Sequence, residues 1–291
     1  MKAPKINFDV AQECIRDVVI PAQPQLMLDV RKVYPDIDKI AALIARDPAM
    51  GAAVLKTVNS PLFGIPKKIV KIEQAVMLLG LDSVMNILSA VLLRKSLSNK
   101  LDPSDLKEFW QSANDAAVAI SFVARQLKIV SPDQAFIVGL FHNCAMPLMR
   151  EKYQDYFTVL NTAYQEHSRA LTDLEDERYQ ANHALIGGYI ARAWHLPDNV
   201  INAIGEHHLP ARLGADVDDG ESDTVDILCA LLKYAEHITG EYKTLGGDSQ
   251  DYEWEQYHSQ VLTRLNLSED DAVSLAEEAT EAVHAADLNF G

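Results

Sequence analysis

Apolar residues recur at spacings of three and four through most of the chain, which predicts helices that each turn one face to a core. Ile37, Ile40, Ala41 and Ile44 mark one such face, Val118, Phe122, Ala124 and Leu127 a second, and Ile186, Ile190 and Trp194 a third. No segment alternates with period two between hairpin turns, so the pattern predicts an all-α fold. Helix starts are punctuated by an acceptor followed by proline at Asp47-Pro48, Asp102-Pro103 and Ser131-Pro132. Thr172 with Glu175 and Ser131 with Gln134 have capping-box spacing. Gly80 closes a predicted helix over 73–79, with Asp82 capping the next over 83–97, and Asn59-Ser60-Pro61 stops another. The last helix is expected from Ser268, with Glu269, Asp270 and Asp271 in its first turn. The polar stretch 96–105 places a soft boundary near residue 100, between a group of short helices and a histidine-bearing remainder.

Charge and cysteine content narrow the function classes. The 291 residues carry 42 acidic and 26 basic side chains, a formal net charge of −16, with no block of five or six Lys and Arg. A basic, arm-like nucleic-acid binder is excluded, and nucleic acid is not an expected ligand. Behind Lys2 and Lys5 the apolar residues are interrupted by Asp9, Glu13, Arg16 and Asp17, so no export signal is predicted. The longest apolar stretches, 75–81 and 87–93, fall well short of the ~20 residues a membrane span needs. Cys14, Cys144 and Cys229 are odd in number, widely spaced and without any CxxC, as in a reducing compartment. A cytoplasmic location follows as the expectation.

Candidate chemistry lies in the histidines: His142 followed by Asn143, then His183, the pair His207-His208, and Glu236 followed by His237. An all-α bundle can point imidazoles and carboxylates from several helices into one cavity and hold a cation there. Adjacent helical residues point about 100° apart, so His207 and His208 share a cavity only if their helix ends there, as Leu209-Pro210 suggests. The competing reading makes His142 a hydrogen-bonded core histidine, Asn143 a local cap, His183 a packing residue near Gly187 and Gly188, and Glu236 an exposed side chain. His167, His195, His237, His258 and His284 show no partner pattern and are assigned to the surface. Nothing beside Cys144 would activate it as a nucleophile.

The order of these motifs resembles a known module. Asp47-Pro48, the run VLKTVNSPLFG, Ile69 to Glu73, Ala75-Val76 and Leu79-Gly80 are similar to the front half of the HDOD domain, a bacterial signalling module related to HD-superfamily phosphohydrolases. Phe109-Trp110, Gly139 to His142, His183 to Gly188, Trp194 to Pro197, Ala203-Ile204 and His207-His208 are similar to its back half. The likeness covers roughly residues 20–240 and implies a multi-helix HDOD/HD-like fold: an N-terminal lobe over 1–100 packed on an HD-like lobe over 101–291 that ends in an acidic helix. It further implies metal ligands at His142, His183, His207, His208 and Glu236. Ser112 and Asn143 fall where the HD pattern has a histidine and an aspartate, so both positions look degenerate.

A neutral amide in place of a carboxylate weakens a two-ion site, whereas the remaining set could still hold one divalent ion, zinc, manganese or iron. The resemblance thus implies a non-catalytic regulatory module whose partner is a signalling protein or a nucleotide-type ligand. The alternative is a metal-dependent phosphohydrolase, a phosphodiesterase or nucleotide phosphatase, with an altered ligand set. Residues 241–291 lie outside the likeness and are read as an acidic surface or capping segment.

Overall fold

The computed structural model describes residues 22–60, 63–98, 103–165, 170–209, 212, 224–247 and 249–286. Among the described residues the regular structure is helical throughout, without a strand. The N-terminal helices are α1 (Gln25–Val33), α2 (Ile37–Ala45), α3 (Pro48–Val58), α4 (Ile72–Leu79) and α5 (Leu81–Ser98). Then come α6 (Pro103–Leu127), α7 (Pro132–Phe141), α8 (Met146–Lys152), α9 (Tyr156–Gln165), α10 (Leu171–Tyr179), α11 (His183–Ala193) and α12 (Asp198–Glu206). The chain closes with α13 (Thr224–Thr239), α14 (Glu241–Thr244), α15 (Tyr252–Leu265) and α16 (Glu269–Ala285).

Local chemistry accounts for many of these bounds. Asp47 accepts the amide of Met50 at 3.0 Å with Pro48 as the first helical residue, and Ser268 accepts the amide of Asp271 at 3.1 Å, as the sequence predicts. Gly80 ends α4 at φ +87°. The next helix starts at Leu81, so Asp82 lies in its first turn and bonds Tyr34 at 2.6 Å. Asn59 ends α3, and its amide then clamps a later segment by bonding both the N–H and the C=O of Ile69. The start signal at Asp102 lies outside the described residues, as do residues 99–102 at the expected boundary near residue 100.

Two capping boxes are not formed. Ser131 precedes α7 without a side-chain cap bond, and Gln134 instead accepts from Asn199 at 2.7 Å. Around Thr172 the helix already begins at Leu171, and Glu175 turns inward to a buried network. Tertiary partners outcompete the local caps in both places.

Helix α13 sits at the centre of the C-terminal helices, against α6, α7, α12 and α15, and ten of its residues from Val225 to Glu236 are buried. Helix α7 lies along α6, and Gly139 makes that approach possible: a Cβ there would stand 2.6 Å from the Ala117 Cα. Gly188 permits a similar contact between α11 and the backbone of Gly205 in α12. The N-terminal helices pack among themselves and join the rest where α5 meets α7. Arg31 of α1 also donates to the carbonyls of Trp194 and His195 beyond α11. No described helix is long and apolar enough to cross a membrane.

Candidate metal and ligand-binding centre

The ends of the helices around α13 bring the candidate histidines together. His142 follows the last residue of α7, His183 is the first residue of α11, and His207 caps the end of α12. Asn182 fixes the start of α11 by accepting the Leu185 amide at 2.8 Å. Because α12 ends at Glu206, His207 and His208 do come side by side, with ring centroids 4.2 Å apart. Glu206, held by Arg212, which also bonds Asp226 of α13, fastens that helix end.

Two donor groups result. His183, His207 and His208 can place ligand atoms within 4.8 Å of one another, and so can His142, Glu236 and Glu241. A ring contact joins the groups, His142 to His207 at 5.4 Å, and within the imidazole group His183 meets His207 at 5.3 Å. The competing reading of Glu236 as an exposed side chain does not hold: Glu236 is 8% and His142 1% exposed, and His142 Nε2 lies 3.6 Å from Glu236 Oε1.

In the imidazole group the Nδ1 side of each ring is occupied. His183 Nδ1 lies 2.7 Å from Glu175, His207 Nδ1 lies 2.8 Å from the Ile204 carbonyl, and His208 Nδ1 lies 3.1 Å from Glu253. Acceptors at Nδ1 place the proton there and leave Nε2 as a lone-pair donor, the arrangement that second-shell partners impose on metal-ligating histidines. Burial, helped by the neighbouring imidazoles, lowers the pKa of His183 and takes that of His207 well below its ordinary value, so both rings are neutral. His183 Nε2 and His207 Nε2 are buried without a hydrogen-bond partner. Orphaned nitrogen lone pairs converging from neutral rings fit a transition-metal ion.

The carboxylate group is arranged otherwise. Ser112 Oγ donates to Glu241 Oε2 at 3.1 Å, and Asn143 Nδ2 donates to Glu241 Oε1 at 2.7 Å. His142 Nε2 stands 3.2 Å from the same Oε1, with its Nδ1 on the Gly139 carbonyl at 2.9 Å. Burial opposes a charge on His142, but Glu241 and Glu236 outweigh it, raise its pKa and favour the imidazolium. Burial likewise opposes a charge on Glu241, and His142 and Ser112 overcome it, so Glu241 stays ionised. Lys233, 3% exposed on α13, bonds Glu236 Oε2 at 2.5 Å and Glu253 Oε2 at 2.6 Å. Burial disfavours its charge, and the two carboxylates keep it protonated nonetheless.

Glu241, Glu253, Lys233 and Glu175 are the members that sequence reasoning missed. Glu241 and Glu253 belong to the segment read as a surface or cap; both line the centre, and Glu241 is 5% exposed. The αL turn at Gly240, φ +66°, swings the chain back so that Glu241 meets His142, and a glycine just past a helix end was the available signal. The cavity over the centre holds about 290 Å³, with Tyr164, Tyr242, Tyr252 and Tyr257 in its walls beside Glu236, Glu241, Asp251 and Glu253. Cys144 is buried, and desolvation pushes its thiol up to about 12, in keeping with its dismissal as a nucleophile.

The HDOD domain family model matches residues 20–210, more than half of the chain. The chain belongs to the HDOD family. Its curated relatives include an uncharacterized protein of Treponema pallidum, 31% identical over 65% of this chain and 37% of that protein. The uncharacterized protein YuxH of Bacillus subtilis is 28% identical over 44% of this chain and 31% of its own length. The matched region thus spans about a third of the length of these curated relatives. Among solved structures, an HDOD domain protein of unknown function from Geobacter sulfurreducens superposes with a TM-score of 0.66 at 20% identity, covering 96% of this chain and 97% of that one. A protein of Shewanella amazonensis provisionally named a phosphohydrolase follows at 0.63 and 19%, over 96% and 97%. One of Marinobacter aquaeolei, provisionally named a signal transduction protein, gives 0.62 at 18%, over 96% and 64%. These likenesses establish the helical HDOD fold.

Proposed function

We propose that this HDOD protein is a non-catalytic signalling module that acts by binding a partner protein. One observation carries the reading: the side chains at the two degenerate positions, Ser112 and Asn143, both donate to Glu241. A phosphoester hydrolase of the two-ion kind needs anionic oxygens free to take cations. Here hydrogen-bond donors already occupy both oxygens of one carboxylate. His183, His207 and His208 would hold one ion, which would supply Lewis acidity and structural stiffness. The acidic cavity wall repels a phosphate group and makes the nucleotide-type ligand the weaker alternative.

A surface feature supports a protein partner. Val70, Met77 and Leu78, in and just before α4, are 60%, 81% and 60% exposed, and large apolar side chains left in water so close in sequence mark an interaction surface. The likeness to a protein provisionally named for signal transduction agrees with the reading, and the likeness to one provisionally named a phosphohydrolase supplies the competing one. The test is to purify the protein without chelators, measure its metal content, and assay phosphodiesters and nucleotides with manganese, iron or magnesium. No turnover is expected, whatever the metal content. Turnover that His183→Ala abolishes would overturn the proposal.

A further inference from the structure

Among the described residues Lys233 is the one buried ammonium of the centre, set among the carboxylates of Glu236, Glu241 and Glu253, and it lies between the two donor groups. On one side it bonds Glu236, which reaches His142 and belongs to the carboxylate group. On the other it bonds Glu253, which holds His208 of the imidazole group. Its side chain is 3% exposed, so the charge has been taken out of water to reach this position.

We infer that the Lys233 ammonium is a resident cation that closes the carboxylate group to a divalent ion and limits this centre to a single ion on its imidazoles. Three features lead to this. The carboxylates of Glu236 and Glu241, 8% and 5% exposed, with the half-buried Glu253 beside them, bring negative charge that, out of water, requires a cation. Lys233 supplies one through two short charge-assisted bonds to two different carboxylates. A divalent ion among the same oxygens would stand close to the ammonium and be repelled by it, in a medium that screens poorly. The remaining oxygen of Glu236 and the carbonyl oxygen of Asn143 are buried without hydrogen-bond partners, so ligand atoms remain on the carboxylate side that the lysine leaves unused. The inference rests on the same reading of the cavity as the proposed function, but its observable is the number of bound ions and is independent of turnover.

The test counts Mn²⁺ per full-length chain by equilibrium dialysis followed by elemental analysis. Wild-type protein is expected to retain no more than one equivalent. Lys233→Met keeps the length of the stem and removes the charge, and it should retain one equivalent more than wild type. Lys233→Arg should count as wild type, and Lys233→Met combined with Glu236→Gln should lose the additional ion. Two equivalents on wild-type protein, or a folded Lys233→Met protein with the wild-type count, would overturn the inference. Should Lys233→Met unfold in metal-free buffer, millimolar Mn²⁺ must restore its helical circular dichroism by replacing the lost charge; failure to do so also overturns it. Turnover by wild-type protein would refute the regulatory reading while leaving the ion count to stand or fall separately.

Discussion

Glu175 has no contact with solvent, yet it organises one side of the centre, and the cost of removing it follows from its bonds. One oxygen accepts the Tyr156 hydroxyl at 2.5 Å; the other accepts the His183 amide at 2.9 Å and His183 Nδ1 at 2.7 Å. Burial works against the carboxylate, but His183 and Tyr156 hold its pKa below the usual range. Glu175→Ala orphans all three buried donors at about 1–3 kcal/mol each. Partial relaxation brings the expected loss to about 3–5 kcal/mol, the lower part of the summed cost. Glu175→Gln keeps an oxygen for His183 and can donate to Tyr156 once that hydroxyl rotates, so it exchanges charged for neutral hydrogen bonds at about 1–2 kcal/mol. Urea unfolding followed by circular dichroism measures both. A loss below 1 kcal/mol for the alanine variant, or equal losses for the two variants, would refute the account of Glu175 as the acceptor that orients His183.

Three further outcomes follow. Gly139→Ala places a methyl 2.6 Å from the Ala117 Cα and 2.7 Å from Ile120 Cγ2, so it should cost at least the ~1–3 kcal/mol of an overpacked core and shift His142, whose ring bonds the Gly139 carbonyl; thermal unfolding and the His142 NMR signals report the two effects. The folded-state pKa of His207 is depressed, so below the ordinary histidine pKa of about 6.5 the unfolded chain takes up a proton that the folded chain refuses. Its contribution to stability is therefore full above that pH and falls as pH drops, and the fall in urea midpoint between pH 7 and 5 should be smaller in His207→Gln. Met77→Glu with Leu78→Glu replaces two exposed apolar side chains and should leave the urea midpoint within about 0.5 kcal/mol of wild type while reducing capture of the partner at least tenfold in a pull-down.

The helices and the four central histidines were legible in the sequence because they rest on local signals: helical periodicity, acceptor-proline starts, and the Leu209-Pro210 pair in the sequence as the sign of a helix ending at His207 and His208. The rest of the centre was hidden because its members meet only through tertiary structure. Glu175 has the spacing of a capping box with Thr172, and that local reading lost to a histidine eight residues later and a tyrosine on another helix. Glu253 lies two residues past the Asp251 cap of α15 and looks like ordinary first-turn acid until Lys233 and His208 are seen opposite it. Ser112 and Asn143 were recognisable as departures from a metal-binding pattern, but what they do instead, donating to Glu241, needed the turn at Gly240. Net charge argued in the sequence only against nucleic acid; the acidic cavity wall extends that argument to a phosphate group at the centre.

The central claim is the absence of catalysis at a centre that still has the imidazoles to hold an ion. It is tested most directly by phosphodiester and nucleotide hydrolysis under saturating Mn²⁺, with wild-type protein and His183→Ala compared side by side. The account predicts that the two proteins are indistinguishable from buffer. Hydrolysis by wild-type protein that disappears in His183→Ala, with the variant still folded, would contradict it.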